Sequence, residues 1–181
     1  MEARGYAADD VLRDGASVRI RAIGAEDKAR LAAFHRRLSP ESVYFRFFEY
    51  KQALSPKDLR YLTEVDFDRR VALVATLAAG PDAPIVGVAR FDVLPGPEHA
   101  PLRAELGIVV EDAQQNRGIG TVLLKHGFAE LLVRPAEIRW YGVHPTRGVE
   151  CLQDRFSFPF RFPHQTGPTF QTSRTEPRAH A

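Results

Sequence analysis

The run "AELGIVV", Ala104 to Val110, has the apolar, β-branched character of a strand, and "TVLLKHGFAELL", Thr121 to Leu132, has the pattern of a helix; only "EDAQQNRGIG" separates them. That junction restricts the chain to folds in which a helix starts at the end of a strand and packs back on its sheet. Leu123, Gly127 and Leu131 form one i, i+4 row of the helix, and Leu124, Phe128 and Leu132 the adjacent one, while Thr121, Lys125 and Glu130 are polar. A broad apolar face therefore meets the sheet, with Gly127 permitting close approach. At the helix start the first backbone N–H groups have no partner in the helix and carry its positive dipole end, and Gly118 and Gly120 keep side chains out of their way. Such a loop suits a phosphate or pyrophosphate, although two glycines in this spacing also make a plain tight turn. Neither common nucleotide motif fits. The third glycine of a dinucleotide fingerprint would stand at Leu123, and a Walker loop needs Gly-Lys-Ser/Thr where Gly120 is followed by Thr121 and Val122.

Upstream, "SVRIRAI", Ser17 to Ile23, alternates Val18, Ile20 and Ala22 with Arg19 and Arg21, as a half-exposed strand does. "AEDKARLAAFHRRL" has acidic residues early and Arg36 and Arg37 late, which complements a helix dipole, and Leu31, Phe34 and Leu38 share a side. "SPES" predicts a second helix with Ser39 as N-cap and Pro40 at the first helical position, carrying Tyr44, Phe47 and Phe48; "SPKDLRYLTEV", from Ser55, repeats the signal for a third. "VALVATL", Val71 to Leu77, and "IVGVARFDV", Ile85 to Val93, flank the turn residues "GPDAP" and read as an antiparallel hairpin. "EIRWYGV", Glu137 to Val143, is a further strand. The order gives a mixed α/β domain with an antiparallel start.

Composition excludes several classes. A chain of 181 residues, 44% hydrophobic and 27% charged, supports one domain with a sizeable core. Its formal charge is +2 with basic residues scattered, which demands neither nucleic acid nor an anionic membrane. No apolar run approaches the roughly 20 residues of a membrane span, and the N-terminus leads into polar sequence rather than a secretory signal, so the expected location is cytoplasmic. The single cysteine, Cys151, rules out an intrachain disulfide framework and a cysteine-rich metal site. His35, His99, His126 and His144 show no metal-ligand spacing, and packing or surface roles are expected for them.

Gln115-Asn116-Arg117-Gly118-Ile119-Gly120 matches the Q/R-x-x-G-x-G/A signature of the GCN5-related N-acetyltransferase (GNAT) superfamily, preceded by a strand and followed by a helix as in that family. "LSPESVYFRFF", Leu38 to Phe48, and "AELGIVV" further resemble the acetyltransferase domains of bacterial protein-lysine acetyltransferases. The resemblance places a GNAT domain at residues 17–143 and implies a mixed, mostly antiparallel sheet flanked by helices. It implies acetyl-CoA, or another acyl-CoA, as cosubstrate, its pyrophosphate on the backbone of Gln115, Asn116, Arg117, Gly118, Ile119 and Gly120. Thr121 adds a hydroxyl, and the pantetheine arm runs along the backbone of Ile108, Val109 and Val110. The acceptor is an amine, either a protein lysine or a small amine, and the oligomeric state is left open. No metal is implied, because a thioester is already activated. The protein has to orient the reactants, remove a proton and stabilise an oxyanion.

Glu105 is the only charge in the run Ala104 to Val110 and falls on the side of Gly107 and Val109 by the two-residue period. A carboxylate part-buried in an apolar strand keeps its proton to higher pH and so can accept one near neutrality. The corresponding glutamate of the similar lysine acetyltransferases is the general base, which makes Glu105 the candidate here. The competing reading is an ordinary glutamate paired with Arg103 or Arg90. Tyr44 and Phe47 fit a core or groove wall.

Beyond Val143 the chain departs from the family, whose second helix carries an Asn and often a tyrosine that protonates the leaving thiolate, followed by Gly-Phe and a final strand pair. After Leu152 there is no Leu, Ile, Val or Met. Residues 144–181 are thus expected to be an atypical tail, truncated relative to the family or largely disordered, as a frameshift or recombination near Val143 to Arg147 would produce. Phe156, Phe158, Phe160 and Phe162 alternate like a strand face, but Pro159 and Pro163 confine any such strand to an edge. The departure keeps a second reading open, a degenerate GNAT domain that binds acyl-CoA without efficient turnover, and a third, a module for some other phosphate ligand.

Overall fold

The computed structural model describes residues 3–47, 49–77, 80, 82–94, 96, 102–131, 136–144 and 148–151. Strand β1 (Ala7–Val11) turns back into β2 (Ser17–Ala22), and helices α1 (Lys28–Arg37), α2 (Pro40–Phe47) and α3 (Pro56–Thr63) follow. Then come β3 (Arg70–Thr76), β4 (Ile85–Val93), β5 (Leu102–Val110), α4 (Ile119–Leu131), β6 (Ala136–His144) and β7 (Gly148–Cys151). The strands lie in sequence order in one sheet. Every pair is antiparallel except β5 and β6, which run parallel across the connection through α4.

Both faces of the sheet centre are covered. Leu73, Ala75, Val86, Ala89, Phe91 and Leu106 pack with Ile119, Leu123 and Leu124 of α4. Ala72, Val74, Ile85 and Val88 pack with Leu31, Phe34, Leu38 and Val43 on the α1–α3 side. Consecutive residues of β3 therefore belong to opposite layers, which is why "VALVA", Val71 to Ala75, is apolar throughout instead of alternating. At Gly127 a Cβ would lie 2.0 Å from Cζ of Phe91, so glycine is what lets α4 settle on β4.

The start signals of the helices work as their residues suggest. Ser39 Oγ accepts from Ser42 N at 3.1 Å, and Ser55 and Asp58 cap α3 reciprocally, Asp58 N donating to Ser55 Oγ at 3.2 Å and Ser55 N to Asp58 Oδ2 at 2.8 Å. The stretch Ala25–Asp27 is a 3-10 turn before α1. Asp27 is fully buried in that turn, where Arg21 of β2 donates to its oxygens at 2.8 and 2.7 Å and Gly24 N at 2.9 Å.

Two elements depart from expectation. The strand Ala7–Val11 has no hydrophobic alternation to announce it; its signal is Asp14-Gly15, with Gly15 at φ +82 in the turn joining β1 to β2. The strand expected at 137–143 extends through His144, and Gly148–Cys151 pairs back on it, beyond the boundary drawn at Val143. Phe48, His99, Leu132 and residues 152–181, including the alternating phenylalanines, lie outside the described residues. Among the described residues no helix is long and apolar enough to cross a membrane.

Candidate active site

β5 and β6 part company halfway along. Their shared rungs run from Leu102↔Ala136 to Leu106↔Trp140, and from Tyr141 onward β6 pairs with β7 instead. Gly107 to Val110 keep β4 on one side, in register with Arg90 to Gly87, and have no rung to β6 on the other. The result is a slot edged by strand backbone, able to hydrogen-bond an extended ligand as an added strand would.

The slot leads to the glycine loop. After Val110 come the 3-10 turn Asp112–Gln114, Asn116 at φ +63, Gly118 at φ +96 and then α4. The first helical bond recorded at its start is Val122 N to Gly118 O, 3.0 Å, so the amides of Ile119, Gly120 and Thr121 precede the ladder. The positive φ explains glycine at 118. At Gly120 a Cβ would meet only Val110 Cγ2 at 3.8 Å and Ile108 Cγ2 at 3.9 Å, so the fold tolerates one there. What glycine leaves open at 120 is space at the head of the slot.

The expected contact residues divide by what their side chains do. Ile108 and Val110 pack toward α4, and Val109 packs on the opposite face. Ile119 is 1% exposed, which leaves only its backbone for a ligand. Gln115 Nε2 donates to Val110 O at 3.2 Å, closing the loop on the strand end. The Arg117 guanidinium donates to Asp14 at 2.6 Å and to Gln114, so it braces the loop against the β1–β2 turn. Asn116 and Thr121 are exposed.

Further braces were not visible in the sequence. Arg37 donates to Glu111 at 2.9 Å and to Ile85 O at 2.7 Å; Asp112 accepts from Ser39 N, Ser39 Oγ and Ser42 Oγ at 2.9, 2.7 and 2.8 Å. The only sequence signal was the pairing of "SPES" with an acidic loop, which no spacing rule connects.

On the α1–α3 side, Glu105 shares a face with Gly107 and Val109 as the strand period requires, but it is exposed and not part-buried. The apolarity of its strand comes from residues nearer the sheet centre and does not extend over its end. Arg90 is not its partner: 3% exposed, Arg90 pairs with Asp92 at 2.8 Å and donates to Leu62 O at 3.2 Å and Tyr61 O at 3.4 Å. Arg103 lies on β5 and its side chain is outside the description. Among the described residues Glu105 makes no ion pair. A cavity on the α1–α3 side is lined by Phe34, His35, Arg46, Leu62, Arg90 and Val109, and Glu105 is not part of its lining. His35 is 3% exposed with neither ring nitrogen bonded, and its burial, with the Lys51 ammonium adding, keeps its pKa below the ordinary histidine value. It is a packing residue. His126 is braced between Tyr6 and Asp10, its Nε2 3.2 Å from Asp10 Oδ2. Among the described residues no cluster of His, Cys, Asp and Glu is placed to hold a metal ion.

No family model matches the chain. It is 31% identical over 115 residues to an acetyltransferase of Pseudomonas aeruginosa, a match spanning 64% of this chain and 60% of that relative's length. The crystal structure of the GNAT domain of S. lividans PAT superposes with a TM-score of 0.69 at 34% identity, covering 77% of this chain and 80% of that one. Arabidopsis thaliana NAA60, solved in complex with acetyl-CoA, shares the fold at a TM-score of 0.50 and 14% identity, over 70% of this chain and 75% of that one.

Proposed function

Because the chain belongs to the GCN5-related N-acetyltransferase superfamily, we propose that it transfers an acetyl group from acetyl-CoA to an amine. The observation that carries this reading is the parting of β5 from β6 directly below a helix start. The slot is long and edged by strand backbone, and its head is left open by Gly120; its residues fit a CoA ester. The amides from Gln115 to Gly120 would hold the pyrophosphate, with the Thr121 hydroxyl beside them, and the backbone of Ile108 to Val110 would line the pantetheine arm. Bound acyl-CoA supplies an activated thioester.

Glu105 stands near the mouth of the slot, on the face where α2 meets β5. In this reading it removes a proton from the acceptor ammonium, the freed amine forms the C–N bond at the thioester carbon, and the C–S bond breaks to release CoA. The acceptor is either a protein lysine or a small amine. Thiol release with amine acceptors tests the proposal: Glu105→Gln should keep acetyl-CoA affinity and lose about 10²-fold in turnover. Equal rates for both proteins across pH would assign Glu105 to structure. The alternative of binding without turnover rests on the departure of the sequence from the family beyond Val143. It predicts acetyl-CoA binding with no thiol release for any amine.

A further inference from the structure

Arg46, on α2, holds its guanidinium face-on to β5: a Cβ on Gly107 would lie 3.1 Å from its Cζ, 3.3 Å from Nη1 and 3.4 Å from Nε. Gly107 is the first β5 residue beyond the last rung shared with β6, Leu106↔Trp140. The cation therefore sits where the slot opens, and glycine at 107 makes room for it.

The two arginines of this face differ in how they are satisfied. Arg90 has a carboxylate, two carbonyls and the Tyr61 ring, 4.6 Å from its Cζ. Arg46 is half-buried, yet among the described residues no oxygen accepts from it and no carboxylate pairs with it; besides the Gly107 backbone it lies against the ring of its neighbour Phe47, at 5.3 Å. Asp92 is committed to Arg90, and Glu105 acts on Arg46 only across space. Burial, with Arg90 nearby, pulls Arg46 below the ordinary arginine value, though a guanidinium keeps its charge at any physiological pH. A charge half removed from water, whose donors still face solvent and have no protein partner among the described residues, is placed to gain from an anion that comes to pair with it. The planar fork matches a carboxylate in two-point geometry, and the second cation at Arg90 favours an anion there.

The geometry points to a carboxylate-binding subsite at Arg46: the substrate carries a carboxylate close to the reacting centre, either on the acceptor, as in an amino acid, or on the acyl group, as in a dicarboxylic acyl-CoA. This deepens the acyl-transfer reading and rests on it. A carboxylate on the acceptor would sit against Arg46 while Glu105 faces the amine. A carboxylate on the acyl chain would reach Arg46 from within the slot.

Calorimetric titration separates the two sources without requiring turnover. One arm compares succinyl-CoA with acetyl-CoA on the free protein. The other titrates N-acetylated α-amino acids, and the corresponding amides, into CoA-saturated protein. The wild type should prefer the carboxylate probe by about tenfold or more in one arm, and Arg46→Gln should abolish that preference while leaving acetyl-CoA affinity unchanged. Arg46→Lys, which keeps the charge without the fork, should retain part of it. Melting temperature should fall by no more than a few degrees in either variant, since among the described residues the guanidinium makes no hydrogen bond or ion pair and the substitutions lose only its packing on Gly107 and the Phe47 ring. Acetyl-CoA binding with no carboxylate preference in either arm overturns the subsite, as does a preference that survives in Arg46→Gln. Absence of any acyl-CoA binding by the wild type would instead remove the acyl-transfer reading, and the subsite with it.

Discussion

Ser39 and Asp112, 73 residues apart, are joined twice, the serine amide donating to one carboxylate oxygen at 2.9 Å and its hydroxyl to the other at 2.7 Å. The N-cap of α2 is thereby fastened to the turn that follows β5, and the helix carrying Arg46 is held to the loop that begins the candidate phosphate site.

Asp112→Ala should loosen this joint. Burial alone would raise the Asp112 carboxyl, but the Ser39 amide and the hydroxyls of Ser39 and Ser42 outweigh it and hold the pKa below the ordinary aspartate value. The joint's contribution is thus present above about pH 4 and is lost as pH falls through the lower, folded value. Because Asp112 is exposed and water screens the contact, the expected cost at neutral pH is about 1 kcal/mol. Urea unfolding at pH 7 and at pH 3 checks this: the gap between wild type and variant should narrow at the lower pH.

Gly127→Ala should damage folding rather than binding. Its Cβ would fall 2.0 Å from Cζ of Phe91, which is 1% exposed and has nowhere to go. Overpacking of this kind costs about 1–3 kcal/mol. A denaturation midpoint equal to that of the wild type would show that α4 does not sit on β4 as described.

His35 should give stability an acid slope. Its burial chiefly, with Lys51 adding and Asp58 opposing, keeps the folded-state pKa below 6.5. As pH falls below about 6.5 the unfolded chain takes up a proton that the folded one refuses, so stability declines by up to about 1.4 kcal/mol per pH unit until the folded value is reached. His35→Phe should flatten the stability profile between pH 7 and pH 5. An unchanged slope would place its origin elsewhere.

Asp27→Asn tests the anchor between β2 and the start of α1. The carboxylate is fully buried and faces Arg21 at 2.7 Å and Arg30. Burial raises its pKa, but Arg21 and the Gly24 amide win and the net shift is downward. Removing the charge takes from Arg21 and Arg30 the buried carboxylate that both face, at a cost of about 3 kcal/mol in urea unfolding. The site is remote from the slot, so acetyl-CoA affinity of the folded variant should not change.

Much of the fold was legible because single segments carry their own instructions. Ile85–Val93 is a strand with the boundaries its pattern predicts, Ser55-Pro56 starts a helix through capping chemistry, and the glycine of "KHGF" meets Phe91. β1 was not legible, since "AADDV" has little strand character and is held by its register on β2 and by Asp10, which reaches Lys125 at 3.0 Å. The ammonium of Lys125, with Val11 N and His126 helping, holds Asp10 down to about 2 against the effect of burial. The glycine motif predicted the helix start and the turn before it, but not the exposure of Glu105 or the guanidinium against Gly107. Both depend on which element covers the α1–α3 face at that point, and a strand pattern contains no term for its cover.

The central claim is that the loop opened at Gly120 receives the CoA pyrophosphate, and Gly120→Val tests it most directly. The backbone at 120 tolerates a Cβ, with its nearest neighbours 3.8 and 3.9 Å away, so the variant should melt within a few degrees of the wild type. Its branched side chain would stand where the anion must approach the amides of the helix start. Calorimetric titration with acetyl-CoA should show binding by the wild type and affinity weaker by at least about tenfold in the folded variant. Equal affinity in the two proteins, or no binding by the wild type, would contradict the account.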